Sequence, residues 1–585
     1  MTDVPIAAEG MPRRSLGGRR ALFGALVAAT LAPLLALTAA TLSVGGWDGF
    51  DIALIVLMAM TLPWAAVGFW NAVIGFVVMR LSRDPGVAVF PAAARASAAM
   101  PLNLSVAVLV CIRNEPPARV LRNLAPMLEE LWRAGAADKF HFYVLSDTDR
   151  PDVAAQEDAA FRDLAARWRD RVAFTYRRRA RNTGFKAGNI GDFCRRWGDR
   201  HDIAITLDAD SVMPASAMLR LARIMQAEPK LGIVQALVVG LPSSSAFARV
   251  FQFGMRLGMR SYTIGGAWWQ GDCGPYWGHN AALRLAPFTA HCRLPALPNG
   301  RHILSHDQVE AVLMRRAGYE VRVLAEEDLG WEENPPSLID FIRRDLRWCQ
   351  GNMQYWSLLA LPGLRPLSRV QLALAILMFV GSPAWILLLI VGTLAAARAP
   401  GALVDPRYGS WLLAAMLFMW FAPKIATLTD ILLRAPLRKA FGGAPRMLAN
   451  VLIETVFFIL LAPVQWMSHT ILLIELALGR QVGWGVQVRD AHAVGFASAL
   501  RDFLPHLMVG WASILVLAIA NPAALPIALL IAGGLALSAP LAVVSASPAL
   551  GRFAIRHGVG RLPEETDPPA TLRALDLPAL SRDAR

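Results

Sequence analysis

The chain has 585 residues, 55% of them hydrophobic, and a formal charge of +14. It is too apolar for an ordinary soluble enzyme and too charged for an all-membrane protein, so a polytopic membrane protein with one large aqueous domain is expected. Five scattered cysteines exclude a disulfide framework or zinc site, and the positive balance points to cytoplasmic loops, anionic head groups and sugar nucleotides, not to nucleic acid.

Residues 1–20 form a polar tail ending in Arg13, Arg14, Arg19 and Arg20. Two apolar runs, 21–44 and 52–79, read as spanning helices, since the first is long for a signal peptide and the second follows almost at once. Only Asp48 and Asp51 lie between them, and Arg80 and Arg83 follow. Positive residues at both outer ends place the N-terminus and residues 80 onward in the cytoplasm.

Residues 81–365 contain no spanning segment. Strand-like runs at 106–112, 140–145, 172–176, 203–207 and 232–239 alternate with helical patterns at 116–133, 153–169 and 186–197. This predicts an α/β domain with a mostly parallel, Rossmann-like sheet covered by helices on both faces. Ligands bind beyond the carboxyl ends of such strands. Polar groups collect there: Arg113-Asn114-Glu115-Pro116, Ser146-Asp147-Thr148-Asp149 and Asp208-Ala209-Asp210. Two carboxylates one residue apart suit a divalent cation that carries phosphates. A lone Asp-x-Asp is more often a solvated turn, so its weight comes from its surroundings.

Asn182-Thr-Gly-Phe-Lys186-Ala-Gly188-Asn189 opens a helix and is equally a helix cap or an anion site. The stretch from Trp268-Trp269-Gln270 to Tyr276-Trp277-Gly278-His279-Asn280 is dense in aromatics, either a core layer or, favoured by the polar groups among the rings, a sugar-binding wall. Ser305-His306-Asp307-Gln308 heads a helix in which Asp307 taken alone is an N-cap. Arg343-Arg344-Asp345-Leu346-Arg347-Trp348 stands just before the membrane, where it suits lipid head groups or a pyrophosphate and sugar. Arg177-Arg178-Arg179-Ala180-Arg181 reads most simply as a solvated face.

From 366 to 550 the chain returns to the membrane, with spans expected at 370–396, 409–433, 506–521 and 523–546. Residues 447–478 are apolar but interrupted by Ala462-Pro463. They read as a hairpin of two short crossings or as one crossing plus an interfacial helix. The tail 551–585 is polar, carries Arg552, Arg556 and Arg561 and is expected inside, which requires an even total and favours the hairpin and eight crossings. Trp356, Trp385, Trp420 and Trp466 are candidates for a channel lining or for interfacial anchors.

Taken together, Asp147, Asp208-x-Asp210, Asp307 and Arg344-x-x-Arg347-Trp348, set between membrane helices, resemble the D, DxD, T/E-D and QxxRW motifs of processive family-2 glycosyltransferases of the cellulose-synthase type. Within that group, Phe185-Lys-Ala-Gly-Asn, Tyr276-Trp-Gly-His-Asn, Leu304-Ser-His-Asp and Arg347-Trp-Cys-Gln-Gly-Asn are similar to the glucans biosynthesis glucosyltransferase H family. Arg344 stands where cellulose synthases have Gln. The resemblance implies a cytosolic GT-A domain inserted in a polytopic helical membrane domain of the bacterial inner membrane, with both termini cytosolic. It implies an inverting polymerisation of glucose from UDP-glucose into the β-1,2-linked backbone of periplasmic glucans, with Mg2+ or Mn2+ as cofactor. Arg113, Asn114, Glu115 and Asp147 would line the uridine pocket, and Lys186, Asp208 and Arg347 would face the nucleotide diphosphate. Asp208 and Asp210 would hold the metal and Asp307 would be the general base. Trp348, His279 and Asn280 would meet the acceptor. A loop within 479–503, with Trp484, Val486, Val488 and Arg489, stands where cellulose synthases have a gating loop. The growing glucan and the phospholipid bilayer are implied partners, and the family adds acyl carrier protein and a periplasmic glucan protein (OpgG-like).

Two other functions compete. Transfer of one sugar to a membrane lipid is disfavoured by the many C-terminal helices and by Arg347-Trp348. A transporter or nucleotide sensor with a degenerate fold is disfavoured by the presence of all four aspartates.

Overall fold

The computed structural model describes residues 15–298, 300–398, 404–481, 483 and 487–580. Two membrane helices come first, α1 (Leu16–Thr41) and α2 (Gly49–Leu81). Asp48 caps α2 through a reciprocal capping box with Asp51.

The aqueous domain is built on a seven-stranded sheet. Its strands are β1 (Val106–Ile112), β2 (Phe140–Ser146), β3 (Ala173–Arg178), β4 (Ile203–Asp208), β5 (Leu231–Ala236), β7 (Ala281–Arg284) and β8 (Glu320–Leu324); the short β6 (Val239–Gly240) and β9 (Trp331–Glu332) pair separately. The order is β3-β2-β1-β4-β7-β5-β8, with β7 antiparallel to both neighbours and every other pair parallel. β1, Val-Ala-Val-Leu-Val-Cys-Ile, is apolar throughout because helices cover both of its faces. The run expected as one strand over 232–239 divides into β5 and β6, which join different sheets.

The helices of the domain include α3 (Pro117–Arg133), α4 (Phe185–Trp197), α5 (Ala246–Gln270), α6 (Asp307–Arg316) and α7 (Leu338–Met353), the last packed on the second membrane region. α3 turns Val120, Leu124, Met127, Leu128 and Leu131 to one face of the sheet. The opposite face packs on α4 and α6 and runs on to Leu372 and Ile376, the start of the first helix of the second membrane region. α5 lies against α2 so closely that a Cβ on Gly265 would stand 1.9 Å from the carbonyl oxygen of Asn71. Trp268 and Trp269, at its last turn, do not form a sugar wall. Phe23 of α1 stacks on Trp269 at 4.2 Å, Trp269 Nε1 donates to Asn71 Oδ1 and Arg19 lies over the Trp268 ring. These rings dock the domain on the membrane helices.

The second membrane region comprises α8 (Pro366–Arg398), α9 (Pro406–Leu433), α10 (Ala444–Ala477), α11 (Phe496–Ala520), α12 (Leu525–Ala536) and α13 (Ser538–Ser545), followed by α14 (Pro548–His557). By length and apolarity α1, α2, α8, α9, α10 and α11 could each cross a bilayer, and the stretch from Pro522 to Ser545, bent by 55°, makes a seventh if read as one span.

Eight crossings are therefore not present among the described residues. The hairpin expected at 447–478 is one continuous helix with Pro463 in its interior. Both ends of α10 meet elements on the side of the sheet domain. Near its start Asn450 Nδ2 donates to Gly558 O (3.0 Å); near its end Gln465 and His469 reach Asp345 of α7 at 2.7 and 2.6 Å. The second half of α10 also packs within the bundle, where Trp466 stacks on Trp385 of α8 at 5.0 Å and Ser382 Oγ lies 2.9 Å from His469 Nδ1. The sequence misled because Ala462-Pro463 looked like a turn, whereas neighbouring helices tolerate the proline. Apart from α10, five helices and the bent pair have the length and apolarity to cross, and both described ends of the chain lie on the side of the sheet domain. Arg20 pairs with Asp272 at 2.5 Å, and a Cβ on Gly551 would meet Ser244 O, both on the domain side.

Candidate active site

The carboxyl ends of β1, β2 and β4 carry the polar groups the sequence placed there, and each meets a counter-charge. Asn114 adopts φ 55°, and its amide donates to Asp149 Oδ1 at 2.7 Å while Arg113 pairs with Asp149 at 2.9 Å. Both oxygens of Asp147 accept from Arg179, at 2.6 and 2.7 Å. Arg179 also donates to Thr183 O and Phe185 O, so it ties the end of β2 to the loop that opens α4. The run at 177–181 is therefore not one solvated face. Arg177 is buried against Asn189 and Asp192, Arg179 serves the site, and Arg178 and Arg181 remain exposed.

Lys186, in the first turn of α4, forms an ion pair with Asp208. Burial alone would raise the Asp208 carboxyl, but Lys186, together with His279 and Arg489, outweighs it and holds the group at about 2. Burial likewise opposes the charge on Lys186, and Asp208 overcomes that to raise its pKa. Asp210 pairs with Arg489, which also binds Glu115 at 3.0 Å. Burial pushes Glu115 up against the pull of Arg489. Arg489 is itself raised, because Asp210 and Glu115 outweigh its burial. The loop carrying Arg489 is fastened again by Asp490 to Arg119 at 2.5 Å, and its Val488 lines a cleft with Arg343, Arg344 and Arg347. Trp484 and Val486 lie outside the described residues.

Asp307 begins α6, and among the described residues its carboxylate accepts no hydrogen bond. It faces Lys186 across Gly278, where a Cβ would lie 3.5 Å from Asp307 Cβ and 3.8 Å from Lys186 Nζ. Gly351 of α7 brings the Arg347-Trp348 helix against this loop, since a Cβ there would stand 2.1 Å from Ser305 Oγ. Arg347 is buried, and burial, followed by the charges of Arg344 and Arg489, lowers it to about 10. Trp348 is half-exposed with the Arg344 guanidinium 4.7 Å over its ring.

His279 lies 3.5 Å from Glu332, and its Nδ1 accepts from the Asn280 amide Nδ2 at 3.0 Å. Asn280 itself is fully buried, and its amide also reaches Ser211 at 3.3 Å. It stands behind His279. Asp208, Asp210, Lys186, Asp307 and Arg347 thus converge, His279 and Trp348 stand at the rim, and Asp147 and Asn280 support from behind. Of the four candidate channel tryptophans, Trp385 stacks on Trp466 at 5.0 Å and meets Trp420 at 5.3 Å within the bundle, while Trp356 is exposed in the turn after α7.

Sequence reasoning missed Arg179, Glu332 and Glu333. Alternation along β3, Arg177 in and Arg178 out, was the one available signal for the first. Glu333 joins Arg119 and Arg122, each at 2.7 Å, but sits in a two-residue strand's exit with no pattern to find.

Among the described residues no group of three or more His, Cys, Asp or Glu side chains could hold a metal by itself. Asp208 and Asp210 supply hard oxygens from two side chains only. That donor set fits a divalent cation whose remaining ligands are phosphate oxygens and water.

The sequence model described as glycosyl transferase family group 2 matches residues 203–425. The Glucans biosynthesis glucosyltransferase H of Pseudomonas paraeruginosa (strain DSM 24068 / PA7) is 35% identical over 550 residues, covering 90% of this chain and 63% of its own length. That of Vibrio cholerae serotype O1 (strain ATCC 39541 / Classical Ogawa 395 / O395) is 34% identical over 561 residues, covering 91% of this chain and 75% of its own. The chain thus spans less than two thirds of the Pseudomonas relative. Among solved structures, the mannosyltransferase PcManGT from Pyrobaculum calidifontis in complex with GDP-Man and Mn2+ has a TM-score of 0.39 and 17% identity, over 63% of this chain and 97% of that one. The aqueous domain has the GT-A glycosyltransferase fold, set between membrane helices. With a third of its residues shared over three quarters of the Vibrio relative, the chain belongs to the glucans biosynthesis glucosyltransferase H family.

Proposed function

We propose that this chain is an inverting glucosyltransferase of the bacterial inner membrane that polymerises glucose from UDP-glucose into a β-1,2-linked glucan, with the GT-A domain and both termini on the cytosolic side. The family's name supports the glucan product. The observation that carries the chemistry is the meeting of Asp208, Lys186 and Asp307 around Gly278, beside Arg347. A bound Mg2+ or Mn2+ would neutralise charge on the donor diphosphate at Asp208 and Asp210.

Lys186 and Arg347 add positive charge where the leaving diphosphate develops its own, which lowers the barrier to cleaving the anomeric bond. The acceptor hydroxyl attacks from the opposite face, so configuration inverts. Asp307 takes the hydroxyl proton; its accessible carboxylate, close to Lys186, suits a base that need act only once per transfer. The Trp348 ring offers a face to the acceptor sugar and His279 a hydrogen bond. Arg489 must leave Asp210 for a cation to bind there, so the loop is displaced as donor enters and can close over it. The Trp385–Trp466–Trp420 cluster supports an exit path through the bundle. Arg178 and Arg181 are the residues left for an acidic partner such as acyl carrier protein.

The test is incubation of the purified chain in nanodiscs with UDP-glucose and Mg2+ or Mn2+, followed by linkage analysis. Soluble β-1,2 oligosaccharide longer than a disaccharide is expected. A glycolipid as the only product would sink the polymerase reading.

A further inference from the structure

The last part of the chain takes no part in the mechanism above, yet it is packed with care against the back of the site. Leu572, Leu575 and Leu577 are buried in one cluster with Val212, Val239, Leu241 and Trp331. Glu564 accepts from Trp331 Nε1 at 3.3 Å and pairs with Arg256 at 3.0 Å; Glu565 pairs with Arg249 at 2.8 Å. All four of these charged side chains are at least nine-tenths buried. Thr571 Oγ1 donates to Glu130 Oε1 at 2.5 Å, and the other oxygen of Glu130 accepts from Ala215 N at 3.0 Å.

What the tail covers is the support of the site. Trp331 and Val212 exchange both backbone hydrogen bonds, each 2.8 Å, and Val212 is two residues past Asp210. Glu332, next to Trp331, faces His279. The turn that carries Asp210 is otherwise fixed by Asn123, whose amide donates to Ala209 O at 3.2 Å. The tail therefore closes the outer side of a sandwich whose inner side is the donor site, with Trp331 as the filling.

We propose that Glu564, Leu572 and Leu575 are positioning residues for the donor site: acting through Trp331 and Val212, they hold Asp210 and Glu332 in register. This rests on the functional reading above. A buried ion pair costs desolvation and is often no more stabilising than an apolar replacement. Its directional contact with Trp331 is what a packing role alone does not require. Displacing a metal ligand by a fraction of an ångström weakens binding far more than it weakens folding.

The experiment compares the full chain in nanodiscs with the double variant Leu572→Asp/Leu575→Asp, and with Leu572→Ile/Leu575→Ile as the conservative control. Trypsin cleavage at Arg561 and Arg573 reports tail release, calorimetry reports cation-dependent UDP binding, and initial rates give KM and kcat. Expected are a cleavable tail, a UDP dissociation constant and a UDP-glucose KM raised about tenfold, kcat changed much less, and wild-type values for the isoleucine control. If the aspartates leave the tail docked, a chain ended after Ser545 replaces them, and adding a synthetic 546–580 peptide must restore UDP affinity. Unchanged UDP binding with the tail released or removed overturns the proposal. So does a loss that only tracks the amount of folded protein. A wild-type chain that binds no UDP with either cation sinks the functional reading and this inference with it; normal wild-type binding keeps the two failures apart.

Discussion

The two edges of the same sheet handle polar groups in opposite ways. At the carboxyl edge four acidic groups are each paired with a basic side chain: Asp147 with Arg179, Asp208 with Lys186, Asp210 and Glu115 with Arg489. At the amino edge a hydrogen-bonded chain runs from Thr175 through His141, Tyr143 and His201 to Ser105, with no charged member needed. There burial pushes His141 down to about 4 and Tyr143 up to about 12, which keeps both neutral. The difference teaches what each edge is for. Charges paired by mobile or exchangeable side chains can be handed to a charged ligand. A neutral chain closed on itself only fixes strands together.

The largest expected effect probes Asp307, a carboxylate at the active edge that accepts no hydrogen bond among the described residues. Asp307→Asn should lower kcat by about 10²–10⁴-fold and leave UDP affinity unchanged. Wild-type turnover would remove the base and blur the contrast between the edges. Next comes Asp208→Asn, which should weaken cation-dependent UDP binding on the order of 100-fold in calorimetry. Equal affinity would mean that the pairing with Lys186 is structural, as at the other edge.

Acid titration sharpens the comparison because the edges should fail in different windows. The folded His141 has a depressed pKa, so its contribution to stability is present above the unfolded value of 6.5 and lost as pH falls to about 4. Asp208 is depressed from 3.8 to about 2, so its contribution persists through that range and is lost only below it. Melting temperature should therefore fall in two steps, and His141→Gln should remove most of the first. A single step, untouched by that substitution, would show that the amino edge is not kept neutral. The smallest effect is expected from Asp490→Asn. Asp490 is mostly exposed, so its pair with Arg119 should be worth less than about 1 kcal/mol and KM should move less than about fivefold. A larger shift would put the exposed half of the loop on a par with Arg489.

Much of the active edge was legible because its carriers are strands of unbroken apolar residues ending in acids, as in Ile203–Asp208. Asp307 stood out only as part of a spaced set, since an aspartate heading a helix is ordinarily a cap. The antiparallel β7 was not legible: Ala-Ala-Leu-Arg is too short to show a period, and it is placed by β4 and β5 on either side. Trp268 and Trp269 were misread because an aromatic pair looks the same whether it meets a sugar or a membrane helix. α10 was misread because Ala462-Pro463 looked like the turn of a hairpin, while the helix continues through it and its Glu454 and His469 find partners in Lys424 and Asp345. The tail's hold on Trp331 has no local signature, since Glu564 and its partner Arg256 are some 300 residues apart.

Both described ends of the polypeptide are clasped to α5: Arg20 binds beside its last turn at Asp272, and Glu565 binds Arg249 in its first. A rod of 25 residues is about 37 Å long, so the two clasps are anchored far apart on one rigid lever. With α2 sealed along its flank, this lever cannot pivot without both clasps giving way. Rocking of the whole domain against the bundle is thereby denied to the catalytic cycle, and dyes placed near Ser15 and Leu580 should keep a constant energy-transfer efficiency through turnover while one on the 487–492 loop does not.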